Sequence, residues 1–92
     1  MRIEFKPSFD RSIKTLNPHD KEEIKRVVAH LIDILSVDKP LHEGLGLKRL
    51  QGHYWEVRKG LKARIIFRWQ KDLVEFVLVG DHGDVKKFLR SL

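Results

Sequence analysis

The sequence predicts an α+β fold in which two consecutive helices pack as a hairpin on one face of a small antiparallel or mixed sheet of about four strands. Apolar and polar residues alternate near the N-terminus and again in the second half of the chain. Two segments of helical periodicity lie between them, and a third, short one ends the chain. This order satisfies the layer rule for α+β domains, and 92 residues predict a single domain over 1–92.

The first three elements are a strand, a short helix and a long helix. Residues 2–6 alternate and predict the strand. Ser8 is the expected N-cap of the short helix. Asn17 and Pro18 predict the start of the long helix, with Asn as the cap and Pro at the first helical position. The apolar face of this helix consists of Ile24, Val27, Val28, Leu31, Ile32 and Leu35.

The second half of the chain contains three strands and a last helix. Residues 38–40 are expected to end the long helix, and a glycine-rich connection follows. Its apolar anchors are Leu45, Leu47 and Leu50. The predicted strands cover residues 54–58, 62–69 and 73–79, separated by turns at residues 59–61 and 70–72. The third of these strands is nearly all apolar and is therefore expected to be central, with both faces covered. Residues 85–92 predict the last helix.

The positive charge lies in one stretch of the chain. The whole protein carries a net charge of +6. Residues 46–71 hold eight basic residues against the single acid Glu56, whereas the remaining residues are almost balanced. Strand alternation predicts one sheet face that carries Tyr54, Glu56, Arg58, Arg64 and Arg68. Such a face is typical of a protein with a polyanionic partner, and the alternative is a merely solvated strand face.

Several classes of protein are excluded by composition. The absence of cysteine excludes disulfide scaffolds, thiolate catalysis and cysteine-type zinc sites, and it fits a reducing cytoplasm. No apolar run approaches the ~20 residues of a membrane helix, and the N-terminus does not read as a signal peptide. The histidines that show no metal-ligand spacing are His19, His30, His42 and His53. With no HExxH, GxGxxG or Walker motif, we expect neither a metal nor another cofactor.

The order of elements and one long run of residues resemble a known family. The run is GHYWEVRKGLKARIIFRW followed by FVLVGDHGDV. It resembles the RelE/ParE superfamily of bacterial toxins over nearly the whole chain. The most specific part consists of Leu50-Gln51-Gly52, Tyr54-Trp55, Arg58, residues 64–67 and His82. Those toxins pair with antitoxins, and the RelE branch cuts mRNA in the ribosomal A site.

The resemblance implies roles for particular residues. Arg64, within Ala63-Arg64-Ile65-Ile66-Phe67, matches the family's most constant catalytic arginine, and Arg58 matches a second basic residue on the preceding strand. His82 matches a histidine that some members place after the last strand. Glu43 lies one residue from the position of a family carboxylate, and Glu56 is the alternative. The C-terminal tyrosine of several members is missing, because the only tyrosine here is Tyr54.

The implied activity is metal-free cleavage of mRNA through attack by a 2′-hydroxyl. That reaction needs a base, an acid and cations at the phosphate. Arginine suits the last role because its fork meets two phosphate oxygens, and histidine exchanges protons near neutral pH. Arg64 and Arg58 are therefore the expected phosphate ligands, His82 the acid, and Glu43 or Glu56 the base. The expected RNA-binding residues are Lys48, Arg49, Tyr54, Lys62 and Arg68.

Each of these roles has a plain structural alternative. Glu56 can simply pair with Arg58 or Arg64, His82 can be a capping or surface histidine, and Trp55 and Trp69 can be core residues. The competing functions are a ParE-like inhibitor of DNA gyrase and an inactive RNA-binding module. In the leading hypothesis the protein is a cytoplasmic toxin, and a monomeric free form is compatible with it. Its cognate antitoxin is expected to cover the basic face with an acidic segment or to reorder the last helix.

Overall fold

The computed structural model describes residues 1–36, 46–58 and 62–92 of the chain. The elements are β1 (Arg2–Phe5), α1 (Pro7–Lys14), α2 (Pro18–Ser36), β2 (Lys48–Arg49), β3 (Tyr54–Val57), β4 (Arg64–Gln70), β5 (Leu73–Gly80) and α3 (His82–Arg90). The strands form one sheet in the order β1-β5-β4-β3-β2. Only the β1–β5 pair is parallel, so the sheet is mixed. The predicted α+β class is confirmed, with five strands instead of about four.

The main core lies between the sheet and the helices α1 and α2. Its buried helical residues are Phe9, Ile24, Val28, Leu31 and Leu35, and its buried strand residues are Val57, Ile65, Phe67, Val74, Phe76 and Val79. Burial of this apolar surface is the main stabilising contribution to the fold. The strand β5 lies between β1 and β4, with α1 against one side and α3 also in contact with it. The prediction of a central strand covered on both sides is confirmed.

The start of α1 differs from the prediction. Its N-cap residue is Lys6, because Pro7 occupies the first helical position. The lysine side chain has no acceptor and makes no cap hydrogen bond. Ser8 is therefore inside the helix, and its hydroxyl donates to the carbonyl of Val77. Val77 has no partner in the β4 ladder, where the register shifts. The hydroxyl of Ser12 accepts from the N–H of Val79 at 3.0 Å, so α1 satisfies backbone groups around this β-bulge.

The start of α2 agrees with the prediction. The side chain of Asn17 accepts a hydrogen bond from the N–H of Asp20 at 2.8 Å, and Pro18 is the first helical residue. Among the described residues, no helix has the length and apolar character needed to cross a membrane. Predictions for residues 38–40, the turn at 59–61, Glu43 and Leu45 lie outside the described residues.

One strand was not predicted, and another begins later than predicted. The strand β2 is a two-residue element, too short for alternation to reveal it. The strand β4 begins at Arg64 and ends at Gln70, two residues later at its start than predicted. The turn that follows is placed by Lys71, whose positive φ of 54° matches a left-handed turn position.

Candidate functional site

The candidate site lies on the sheet face opposite α1 and α2. Ile65 and Phe67 belong to the main core, so alternation along β4 places Arg64, Ile66 and Arg68 on the other face. Antiparallel pairing of Glu56 with Ile66 and of Tyr54 with Arg68 adds β3 residues to that face. We call this surface the site face. It contains the residues that the sequence predicted, except that Arg58 follows β3 as an exposed residue.

A buried ion pair occupies the centre of the site face. The Nε atom of Arg64 lies 3.1 Å from Oε1 of Glu56, and the two side chains are only 17% and 10% exposed. Arg64 is a diagonal neighbour of Glu56, since Glu56 is directly opposite Ile66. The pairing of Glu56 with Arg64, one of the two structural alternatives, is thus observed.

The N-terminus of α3 lies next to Arg64. The strand residue opposite Arg64 is Gly80, and the helix begins two residues later at His82, which is exposed. Hydrogen bonding from the backbone N–H of Asp84 lowers the pKa of Asp81, and the positive charge of Arg64 contributes to the same lowering. The guanidinium group is therefore close to the start of this helix, and the topology brings Arg64 and His82 to the same end of the site face.

A reciprocal capping box fixes the start of α3. The N–H of Asp84 donates to Oδ1 of Asp81 at 2.8 Å, and the N–H of Asp81 donates to Oδ2 of Asp84 at 2.9 Å. His82 is between these two aspartates, so the cap also determines its position. Sequence reasoning did not identify this cap, although an aspartate three residues before another at a helix start is a recognisable signal.

We expect Gly80→Ala to lower the free energy of unfolding by about 1–3 kcal/mol through overpacking. A Cβ at Gly80 would lie 2.6 Å from Cβ of Asp84 and 2.7 Å from its Oδ2, so the helix start has to move. The control is Gly83→Ala, whose Cβ would meet only Oδ1 of Asp81 at 3.3 Å. The higher helix propensity of alanine offsets the cost of this contact. We expect the control to change stability by less than about 1 kcal/mol in urea unfolding. Equal effects of the two variants would contradict the close approach at Gly80.

An apolar patch lies beneath α3 on the site face. Ile66 is fully buried and Val85 is almost so, yet neither belongs to the main core. The ring of Tyr54 packs edge-on against Phe88 with 5.2 Å between centroids. Tyr54, a candidate for stacking on RNA bases, therefore uses part of its ring to hold α3.

A second ion cluster joins the strands β1, β5 and β4. The carboxylate of Glu75 contacts Nζ of Lys6 at 2.8 Å and Nη1 of Arg68 at 3.1 Å. The other terminal nitrogen of Arg68 donates to Oε1 of Gln70 at 2.6 Å. Both terminal nitrogens of Arg68 thus have partners within the protein, and its RNA-binding role stays a prediction. Glu75 was not identified from sequence, although it is the only charged residue in β5.

This cluster predicts how stability depends on pH. The Lys6 ammonium, followed by Arg68, lowers the pKa of Glu75 below its ordinary 4.5, and Glu75 raises the pKa of Lys6 above 10.5. The contribution of Glu75 to the free energy of unfolding is fully present above pH 4.5 and is lost as the pH falls through the lowered pKa. The Lys6 contribution is complete below pH 10.5 and is lost as the pH rises through the raised pKa.

We therefore expect Glu75→Gln to destabilise the protein by about 1–2 kcal/mol at pH 7, because Lys6 and Arg68 are partly exposed and screened. We also expect it to reduce the loss of stability below pH 4.5. Urea unfolding at several pH values measures both effects. The charge-matched control is Glu22→Gln on α2, whose partner Lys25 is 3.5 Å away on the surface. If Glu75→Gln and wild type lose the same amount of stability below pH 4.5, the prediction is contradicted.

The basic residues of β2 are divided between the two faces of the sheet. Lys48 pairs with Glu56 and therefore lies on the site face. Arg49 pairs with Trp55, whose ring centroid is 6.0 Å from the guanidinium carbon, and it donates to the carbonyl of Gly52. Arg58 and Lys62 are exposed. Of the predicted basic residues, Lys48 therefore shares the face of Arg64, whereas Arg49 does not.

The other aromatic and carboxylate candidates are also located. The rings of Trp55 and Trp69 are 6.0 Å apart and both pack against the main core, which favours a role as core residues for them.

In the described part of the chain, one group of three side chains has the spacing for a metal ion, namely His19, Asp20 and Glu23 on α2. That group is on a helix that packs against the other face of the sheet, and Asp20 already contacts the cap residue Asn17.

The fold is shared with solved toxin structures. Comparisons with protein-family models and with curated proteins give no match. A chain of the E. coli DinJ-YafQ complex is 21% identical with a TM-score of 0.73, over 92% of this chain and 98% of that one. A chain of the RelB-RelE antitoxin-toxin complex from Methanococcus jannaschii is 20% identical with a TM-score of 0.67, over 92% and 96%. The YoeB/ParE toxin from Agrobacterium tumefaciens is 16% identical with a TM-score of 0.66, over 89% and 99%.

These similarities define the class of fold. The protein has the α+β fold of the RelE-, YafQ- and YoeB/ParE-type toxins. The resemblance inferred from the run around Arg64 and His82 is confirmed at the level of the fold.

Proposed function

We propose that this protein is the toxin of a type II toxin–antitoxin pair and that it cleaves mRNA on the ribosome. The observation that carries the proposal is the preorganised arginine Arg64 beside the helix start that bears His82. A guanidinium held in place before substrate arrives stabilises developing negative charge without reorganisation. An exposed histidine at the same end of the site face is available for proton transfer.

The proposed reaction begins with attack by the 2′-oxygen of the mRNA on the adjacent phosphorus. A base takes the 2′-hydroxyl proton, the bond from phosphorus to the 5′-oxygen breaks, and a 2′,3′-cyclic phosphate remains. Arg64, assisted by Arg58, neutralises charge on the phosphate, and His82 protonates the leaving 5′-oxygen. The base is Glu43 or Glu56, of which Glu43 lies outside the described residues.

The basic residues around the site suit a polyanion and also an acidic protein segment. Lys48 is on the site face, and Arg58 and Lys62 are exposed nearby in the chain. The similar structures include toxin–antitoxin complexes, which supports a cognate antitoxin as the partner. We expect an acidic segment of the antitoxin to cover these residues in the cytoplasm and to compete with mRNA for them.

The test is a purified translation reaction on a defined mRNA, with 5′ ends mapped by primer extension. Cuts positioned on codons that require ribosomes support the proposal. A gyrase supercoiling assay runs in parallel. Intact mRNA with inhibited gyrase would replace the proposal by the ParE-like function, and intact mRNA with active gyrase but retained RNA binding would replace it by an inactive module.

A further inference from the structure

Glu56 is a buried carboxylate in the middle of the proposed RNA-binding surface. The residue is 8% exposed, and its Oε1 faces Nε of Arg64 at 3.1 Å. A buried carboxylate is costly unless a charge partner compensates its lost hydration. Arg64 supplies that partner from the neighbouring strand, so the geometry of each side chain depends on the other.

The pair leaves a defined part of Arg64 available to a ligand. Glu56 contacts the Nε side of the guanidinium. Among the described residues, no buried side-chain nitrogen or oxygen lacks a hydrogen-bond partner. None of their side-chain hydrogen bonds involves Nη1 or Nη2 of Arg64. These two nitrogens form the edge of the fork that can bind two phosphate oxygens.

We propose that Glu56 is the positioning residue of Arg64 and not the general base of the reaction. This inference rests on the proposed ribonuclease function and names the role of Glu56 within it. Glu56 holds one edge of the guanidinium and thereby turns the other edge toward the scissile phosphate. A base has to approach within about 2.6–3.2 Å of the 2′-hydroxyl. A carboxylate that is buried below Arg64 has little surface from which to do so.

The contrast with Arg68 supports this assignment. Arg68 is also held by a buried glutamate, but both of its terminal nitrogens are engaged, by Glu75 and Gln70. The same sheet face thus contains two buried glutamate–arginine pairs with different outcomes. In one pair both terminal nitrogens of the arginine donate to side chains of the protein, and in the other the glutamate contacts the arginine at Nε.

The experiment is a double-mutant cycle on single-turnover cleavage of ribosome-bound mRNA, with Glu56→Gln, Glu56→Ala, Arg64→Ala and the doubles. Glutamine keeps a polar oxygen beside Nε but loses the charge, so we expect a loss of about 10-fold in Glu56→Gln and about 10²-fold in Glu56→Ala. The pH–rate profile of Glu56→Gln should keep its shape. In the Arg64→Ala background, either substitution of Glu56 should have no further effect. Glu22→Gln on α2 controls for the change in net charge.

A second readout does not require cleavage. The Nε–H of Arg64, identified in NMR spectra by its loss in Arg64→Lys, should exchange slowly in wild type and rapidly in Glu56→Ala. The inference would be overturned if Glu56→Gln and Glu56→Ala lower the cleavage rate equally and if each lowers it by the same factor again in the Arg64→Ala background. Glu56 would then be the base. Unchanged Nε–H exchange in Glu56→Ala would also overturn it. If wild type does not cleave mRNA, the proposed function fails by itself, and the exchange measurement still decides whether Glu56 positions Arg64.

Discussion

Replacing Arg64 by alanine is expected to lower the rate of ribosome-dependent mRNA cleavage by about 10³-fold. One preorganised hydrogen-bond donor at a transition state typically contributes about 10²–10³-fold to the rate. An arginine at a transferring phosphate can contribute more. Glu56 contacts the guanidinium group at Nε, so the group is held in place before RNA binds. Lysine restores the charge but cannot contact Glu56 and two phosphate oxygens together. Arg64→Lys should therefore recover only a small part of the loss.

The measurement is single-turnover cleavage of a defined mRNA on purified ribosomes. Arg64→Ala leaves Glu56 buried without its partner, at a cost of about 3–5 kcal/mol of stability, so urea unfolding has to accompany the rates. The double variant Arg64→Ala with Glu56→Gln removes the unpaired charge and should remain as inactive as Arg64→Ala. Arg11→Ala, an exposed arginine of α1, controls for net charge. A folded Arg64→Ala protein that cleaves within 10-fold of wild type would contradict a role for Arg64 at the phosphate.

The fold could be predicted from sequence because most elements carry their own periodicity. The helix α2 shows a regular apolar face and a clear Asn17-Pro18 start, and both are present in the structure. The features that escaped prediction depend on tertiary contacts. The strand β2 exists because Lys48 and Arg49 pair with β3. Ser8 looks like a cap in sequence, but its hydroxyl is needed by the bulged strand β5.

The composition of the site face could be predicted from alternation alone, but the state of its charges could not. Alternation places Arg64 and Arg68 on one face and makes them look equivalent. The structure distinguishes them, because the register of β4 with β5 sets Arg68 opposite Glu75. The same register places Gly80 opposite Arg64 and so brings the start of α3 to the arginine. The pairing of Arg68 with Glu75 follows from the short turn between Gln70 and Leu73. The pairing of Arg64 with Gly80 depends on a bulge between Ile66 and Phe67, which sequence spacing does not reveal.

His82→Gln is expected to lower cleavage by 10²–10⁴-fold, the usual contribution of a general acid or base. His82 is the first residue of α3, between the two aspartates of the capping box. Glutamine preserves a polar side chain there without the ability to give up a proton, so the helix start and the ion pair of Arg64 should remain intact. The control His30→Gln, an exposed position on α2, should cleave as wild type does.

The role of His82 as an acid, and not as a base, can be tested with a modified substrate. If sulfur replaces the leaving 5′-oxygen at the scissile phosphate, the leaving group is a thiolate, which departs without needing a proton. We expect this substrate to restore most of the activity of His82→Gln and little of that of Arg64→Ala, because Arg64 acts on phosphate charge and not on the leaving group. Rates on both substrates, measured under single-turnover conditions, separate the two roles. If the sulfur substrate is cleaved by His82→Gln as slowly as the natural one, then His82 is not the acid. In that case His82 acts as the base that takes the 2′-hydroxyl proton. Because this chain has no C-terminal tyrosine, the proton for the leaving oxygen then has to come from the ribosome–mRNA complex.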